Sequence, residues 1–221
     1  MIKVSVIVAT YNDEEFIARC LRSLQNQHLD IQEYEIIVIN DGSTDKTKFA
    51  LEVLKKPSDN NFKIINNYSN LGLASSVNKG ISAAKGEYIV RVDADDFVNI
   101  NFLSILSFYL DMNQDTGAVE CDYLIVDESE NIIEKISCQE FPIACGIMFR
   151  KKYLLDIGMY DSKFRCNEEK DLRIRFTKKY KIDYLNLPLY RYRKHSTNMT
   201  NNKSILKIYN KLLNKKHALD K

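Results

Sequence analysis

The sequence predicts an α/β fold: a mostly parallel, twisted sheet with helices on both faces, plus a smaller mixed subregion. Over roughly the first 110 residues, β-branched runs alternate with segments whose apolar residues recur at helical spacing, as βαβ units require. Those runs are apolar almost throughout, as strands buried on both faces must be. From about Gly117 the pattern changes to extended segments joined by polar turns.

Residues 4–9 are apolar apart from Ser5 and form the first strand. Asn12 is placed to cap the next helix, with Glu15 as its capping-box partner. Phe16, Ile17, Cys20, Leu21 and Leu24 supply that helix's apolar face. Residues 35–39 are the second strand, followed by Asp41-Gly42-Ser43-Thr44-Asp45. The next helix carries Phe49, Ala50, Val53 and Leu54 and stops before Pro57. Residues 62–65 are a third strand, and Ala74, Val77, Ile81 and Ala84 are the stripe of a helix ended by Gly86. Residues 88–92 form a fourth strand that runs into Asp93-Ala94-Asp95-Asp96, and residues 102–110 an apolar helix.

In the second part, residues 118–126, 131–136 and 146–149 read as strands and 168–179 as a helix; residues 184–192 are extended around Pro188. Residues 204–216 form an amphipathic helix, with Ile205, Ile208, Tyr209, Leu212 and Leu213 on one face and Lys207, Lys211 and Lys215 on another. No Pro/Gly/Ser linker divides the chain. One domain is expected over residues 1–202, with halves 1–115 and 116–202, followed by the basic helix 203–221.

Composition narrows the function. The 221 residues are 45% hydrophobic and 28% charged, which excludes a disordered chain. No apolar run approaches the ~20 residues of a membrane span. Lys plus Arg less Asp plus Glu is 32 − 30 = +2, which predicts no nucleic-acid partner. The first apolar stretch is too short for a signal peptide and is read as a strand. Five cysteines without a C-x-x-C pair predict buried free thiols in a reducing compartment, hence a cytoplasmic protein.

Ligands of doubly wound sheets bind beyond the carboxyl ends of the strands. Here those ends carry Thr10-Tyr11-Asn12-Asp13, Asn40-Asp41-Gly42-Ser43 and Asp93-Ala94-Asp95-Asp96. Each loop alone also reads as an ordinary turn; three at one edge point to a site. Three carboxylates in four residues repel one another unless a cation offsets them, and hard oxygen donors suit Mn2+ or Mg2+. On extended backbone Asp93 and Asp95 would point the same way and Asp96 elsewhere. Neither a G-x-x-x-x-G-K-[ST] loop nor a G-x-G-x-x-G turn is present, which removes the support for ATPase and dinucleotide-oxidoreductase readings.

Several ordered motifs carry a resemblance. Val4-Ser-Val-Ile-Val-Ala-Thr-Tyr-Asn12, Ile37-Val-Ile-Asn-Asp-Gly-Ser-Thr44, Asn70-Leu-Gly-Leu73, Asn78-Lys-Gly-Ile81 and Gly86-Glu-Tyr-Ile-Val-Arg-Val-Asp-Ala-Asp-Asp96 resemble glycosyltransferase family 2. The resemblance spans roughly residues 1–200 and implies the Rossmann-like GT-A fold and an inverting, nucleotide-sugar-dependent, metal-dependent transferase. It implies that Thr10, Tyr11 and Asn12 line the nucleoside pocket, that Asp41 accepts from a uracil-type N–H, and that Asn78 shapes the donor pocket. Asp93 would contact the ribose or the metal, Asp95 would bind the metal, and His195, in Tyr192-Arg-Lys-His195, would be a third ligand. Arg193 would offset phosphate charge. Val77 stands where the family often has Arg, which leaves uridine as only its commonest base.

Cys145-Gly-Ile-Met-Phe-Arg150 and Gly158-Met-Tyr-Asp161 are similar to the segments framing the family's acceptor site. Asn167-Glu-Glu-Lys-Asp-Leu172 is similar to its acidic base motif, which makes Glu169, in place of the usual Asp, the general base. The competing reading is a surface helix laced by Glu169–Arg173 and Asp171–Arg175 pairs. The implied partners are a nucleoside diphosphate sugar, UDP-linked by preference, and a saccharide or lipid-linked acceptor, in bacterial surface polysaccharide or glycoconjugate synthesis. Residues 203–221 would pack on the body or a second subunit as in a homodimer, or touch the inner face of the membrane through their lysines. His28 and His217 have no motif around them and are expected to be exposed. The rivals are a nucleotidyltransferase, disfavoured by the acidic Asp13-Glu14-Glu15, and a catalytically silent nucleotide-sugar-binding module.

Overall fold

A computed structural model describes residues 1–55, 60–196, 198 and 203–218. The first half places β1 (Val4–Thr10), α1 (Ile17–Gln25), β2 (Tyr34–Asn40), α2 (Thr47–Leu54), β3 (Phe62–Asn66), α3 (Leu73–Ala83) and β4 (Tyr88–Arg91). These strands run parallel in the order β3-β2-β1-β4. Thr10 pairs with Asn40 and Asn40 with Asn66, so the carboxyl ends of three strands finish level at one edge. The chain winds outward from β1 in both directions, which opens a cleft above it.

The second half adds β5 (Phe97–Val98), α4 (Phe102–Met112), β6 (Ala118–Val126), β7 (Ile132–Ile136), β8 (Ile147–Arg150), α5 (Lys151–Asp156), α6 (Glu168–Thr177), β9 (Ile182–Arg193) and α7 (Lys203–His217). β8 runs antiparallel to both β4 and β6, and β9 runs parallel to β6. Hence β4, β6 and β9 end at the same edge. One mixed sheet results, β3-β2-β1-β4-β8-β6-β9-β5, with β7 beside β6.

The pleat sorts the core into two layers. Val4, Val6 and Val8 face α1 and α4 through Ile17, Leu21, Leu24, Phe102 and Leu106. Ile7, Ile37 and Ile39 face the other way, toward Val77 and Ile81 of α3 and Leu172 and Phe176 of α6. Each fully buried aliphatic chain contributes ~1.5–3 kcal/mol. Gly80 lets α3 approach closely: a Cβ there would stand 2.5 Å from Ile7 Cγ2 and 2.7 Å from Ile39 Cδ1.

Several local expectations change. Asn12 caps nothing; its φ is +59° and its Oδ1 accepts the Thr44 N–H at 2.8 Å, joining the β1 and β2 loops. The turn into α1 is closed instead by Asp13 O, which accepts from Phe16 N and Ile17 N. Phe49 and Val53 lie on the solvent side of α2, whose buried residues are Thr47 and Leu51. Ile208 of α7 is exposed, whereas Leu213 is buried. Pro57 lies outside the described residues. β5 and α5, of two and six residues, are too short for their periodicity to show. All five cysteines are free and buried, as expected. Among the described residues no helix is long and apolar enough to cross a membrane.

Candidate active site

The edge where β1, β2 and β4 end is built from the predicted loops. Thr10 is buried and donates through Oγ1 to Asp13 Oδ2 at 2.8 Å; Tyr11, 44% exposed, donates its N–H to the same oxygen at 2.9 Å. Asp41 is buried. Its Oδ1 accepts from Asn67 Nδ2 (2.8 Å) and Leu71 N (2.9 Å), and its Oδ2 from Gly72 N (2.9 Å). Gly72 has φ +90°, a left-handed turn that glycine adopts without a steric penalty. Asp41 thus fastens the 67–72 loop beside the cleft. Asn78 donates to Tyr160 O (2.7 Å) and accepts from Tyr160 N (3.0 Å), binding α3 to the Gly158–Asp161 motif.

The acidic cluster departs from the extended geometry expected of it. The strand stops at Arg91, and residues 93–96 form a turn closed by Asp96 N–H on Asp93 O (3.1 Å). Alternation therefore does not govern where the carboxylates go. Asp93 receives Arg91 Nε (2.6 Å) and Nη2 (3.1 Å). Asp95 Oδ2 lies 2.9 Å from His195 Nε2 and 3.3 Å from Asn198 Nδ2. Asp96 is buried and accepts from Tyr190 Oη and Arg193 N, both at 2.7 Å. Burial, then the charges of Asp95 and Asp93, push its carboxyl well above the usual range.

Donors suited to a divalent cation fall into two groups at this turn. Carboxylate oxygens of Asp93 and Asp96 lie within 4.8 Å of each other and of Cys145 Sγ. Burial, then Asp93, pushes the Cys145 thiol well up. Asp95 and His195 present an oxygen and a nitrogen side by side, and His195 packs on the Phe16 ring at 4.5 Å. Next to them lies a cavity of about 490 Å³ lined by Asp127, Glu128, Ser129, Lys194, His195 and Ser196.

Arg193 ties two turns together. It is buried, and its guanidinium donates to Asp95 O, Glu128 O and Glu130 Oε1 at 3.0, 3.0 and 3.2 Å. It holds the acidic turn to the 127–130 turn.

Glu169 sits in the first turn of α6, half-buried. The chain enters this helix through Asn167 at φ +61°. Glu168 is buried and accepts from Arg91 Nη1 at 2.8 Å, so one guanidinium links it to Asp93. The Asp171–Arg175 pair forms at 2.8 Å, but Arg173 pairs with Glu120. Glu169 is left without an ion pair among the described residues. Burial, then the Glu168 charge, raises its carboxyl above the ordinary value, which suits a proton acceptor.

Sequence reasoning missed Arg91, Glu168 and Asp13. The signal for Arg91 was present: a charge inside an apolar strand has to be paired. Asp13 is pushed up to about 6 by burial, with the charges of Asp95 and Asp93 adding to it. Its folded value lies above 3.8, so ionisation destabilises the fold as pH rises from about 4 through 6, by up to about 3 kcal/mol. Asp13→Asn is therefore expected to exceed the parent in stability at pH 8 in EDTA and to lose that advantage by pH ~4. Urea unfolding across pH checks this; parallel curves would refute it.

The sheet order and its acidic carboxyl edge define a GT-A protein. Two solved structures share the fold. Staphylococcus aureus TarS 1–349 in complex with UDP-GlcNAc matches with TM-score 0.77 and 22% identity, over 91% of this chain and 61% of that one. The Pyrobaculum calidifontis mannosyltransferase PcManGT, in complex with GDP-Man and Mn2+, matches with TM-score 0.73 and 19% identity, over 88% and 58%. The model of glycosyl transferase family 2 matches residues 5–132, and the chain belongs to that family. An uncharacterized glycosyltransferase of Haemophilus influenzae is 41% identical over 127 residues, 58% of this chain and 38% of that protein. The chain thus matches well under half the length of this relative.

Proposed function

We propose that this chain transfers a sugar, with inversion, from a nucleoside diphosphate sugar to an acceptor hydroxyl. The observation that carries the reading is the half-buried Glu169, without an ion pair among the described residues, beside Glu168, which Arg91 joins to the Asp93 end of the acidic turn. Glu169 takes the acceptor proton while the oxygen attacks the anomeric carbon from the face opposite the diphosphate, which leaves with its bonding electrons. Thr10, Tyr11, Asn12, Asp41 and Asn78 frame the donor side; the carboxylate of Asp41 and the amide of Asn78 act through the loops they hold.

Asp95 and His195, with Asp93 on the same turn, would hold Mn2+ or Mg2+, which when bound supplies Lewis-acid neutralisation of the diphosphate charge. UDP is the first choice of nucleotide because TarS is solved with UDP-GlcNAc; the GDP-Man of PcManGT keeps the base open to test. The acceptor is a saccharide or a lipid-linked one, in surface polysaccharide or glycoconjugate synthesis in the cytoplasm or at the inner membrane face.

Thermal shift against a panel of nucleotide sugars with Mn2+, followed by assay of slow donor hydrolysis, tests the reading. Binding without release of nucleoside diphosphate would make the chain a binding module. Asp95→Asn is expected to weaken Mn2+-dependent UDP binding at least about 10-fold in calorimetry. Unchanged metal dependence would remove Asp95 from the metal site.

A further inference from the structure

We propose that α7 is an outer clamp that positions the first turn of α6 for the transfer step, with Lys216 as its main positioning residue. The inference rests on the reading of Glu169 as the base. The sequence left α7 between the body, a second subunit and a membrane, and left His217 exposed; the structure packs both onto the segment that carries Glu169.

That turn is held from two sides. From within, Arg91 holds Glu168. From outside, Asn210 Oδ1 accepts from Asn167 Nδ2 at 2.9 Å, at the left-handed residue through which the chain enters α6. Asn tolerates that conformation better than other non-glycine residues, and the Asn210 contact fixes its side chain there. Lys216 Nζ lies 2.7 Å from Asp161 Oδ2 and 2.6 Å from Asp171 Oδ1, so it reaches both sides of Glu169 along the chain. His217 Nε2 reaches the same Asp171 oxygen at 2.8 Å, and Asp171 is fully buried.

Apolar contacts complete the clamp. Leu213 is buried, the Tyr209 ring faces Phe164 at 6.2 Å, and Lys216 Nζ stands 5.2 Å over that Phe164 ring. Arg175 closes the inner side, donating to Asp171 and to the carbonyls of Ile157 and Met159. Lys207, Lys211 and Lys215 stay outside and take no part. A base displaced by about 1 Å can lose 10²-fold in rate, so a loosened turn has a kinetic readout.

The test compares Lys216→Met, Lys216→Arg and Glu169→Gln in the full chain. Hydrogen–deuterium exchange of residues 167–172 is read beside Mn2+-dependent UDP release from UDP-glucose and UDP-GlcNAc. Lys216→Met is expected to exchange at least about 10-fold faster in that segment and to lose about 10-fold in kcat, with donor KM within about twofold of the parent. Lys216→Arg restores both. Glu169→Gln loses kcat with parental exchange.

Parental exchange in Lys216→Met overturns the clamp, as does faster exchange with unchanged kcat. Faster exchange spread over the whole sheet marks general destabilisation and overturns it too. If the parent releases no UDP, or Glu169→Gln releases it at the parental rate, the base assignment fails. Exchange in Lys216→Met then still decides whether α7 holds the turn.

Discussion

Glu169→Gln is expected to lower turnover by about 10²–10⁴-fold while donor KM stays near the parental value. The substitution keeps the side chain's volume and removes its charge and its ability to take a proton. Glu169 has no ion pair among the described residues, so losing its charge strands no partner. The raised carboxyl gives the pH sign. The active form is the ionised one, so kcat falls as pH drops through the raised value, and this acidic limb disappears in the glutamine variant. Glu168→Gln removes the neighbouring negative charge that helps raise Glu169, and should move the limb to lower pH. Steady-state release of nucleoside diphosphate across pH checks both expectations. Parental turnover in Glu169→Gln would take Glu169 out of the mechanism.

What the sequence disclosed follows from the range of the forces involved. Strands β1, β2 and β4 were readable because burial on both faces leaves runs of mostly apolar residues. The residues of the candidate site were readable as types, since carboxylates gather where strands end. Their directions were not. Asp95 meets His195 across 100 residues, and Arg91 meets Glu168 across 77; no local pattern encodes such pairings. The extended reading of Asp93 and Asp95 failed because the Asp96 N–H folds back on Asp93 O. Asn12 looked like a cap because Asn favours such places, yet its amide serves a neighbouring loop instead. His217 was read as exposed because its partner, Asp171, lies 46 residues away.

Arg91→Met is expected to be the most damaging single change, costing about 3–5 kcal/mol of stability as well as activity. The guanidinium is 5% exposed and holds two carboxylates: Asp93 through Nε and Nη2, and the buried Glu168 through Nη1. Methionine fills most of the volume but leaves Glu168 charged, buried and unpaired. Lysine does not rescue this, because an ammonium cannot make a bidentate contact with Asp93 and reach Glu168 together. A second substitution separates fold from function. In Arg91→Met/Glu168→Leu the stranded charge is gone, and replacing a buried pair by apolar groups is often neutral, so unfolding free energy should return to within about 2 kcal/mol of the parent. Turnover should stay low in that double variant, because the guanidinium that joins the acidic turn to the helix carrying Glu169 is then gone. Urea titration and donor hydrolysis on the same four proteins decide it. A stable double variant with parental turnover would show that Arg91 serves the fold alone, and that the acidic turn and α6 keep their places without a shared guanidinium.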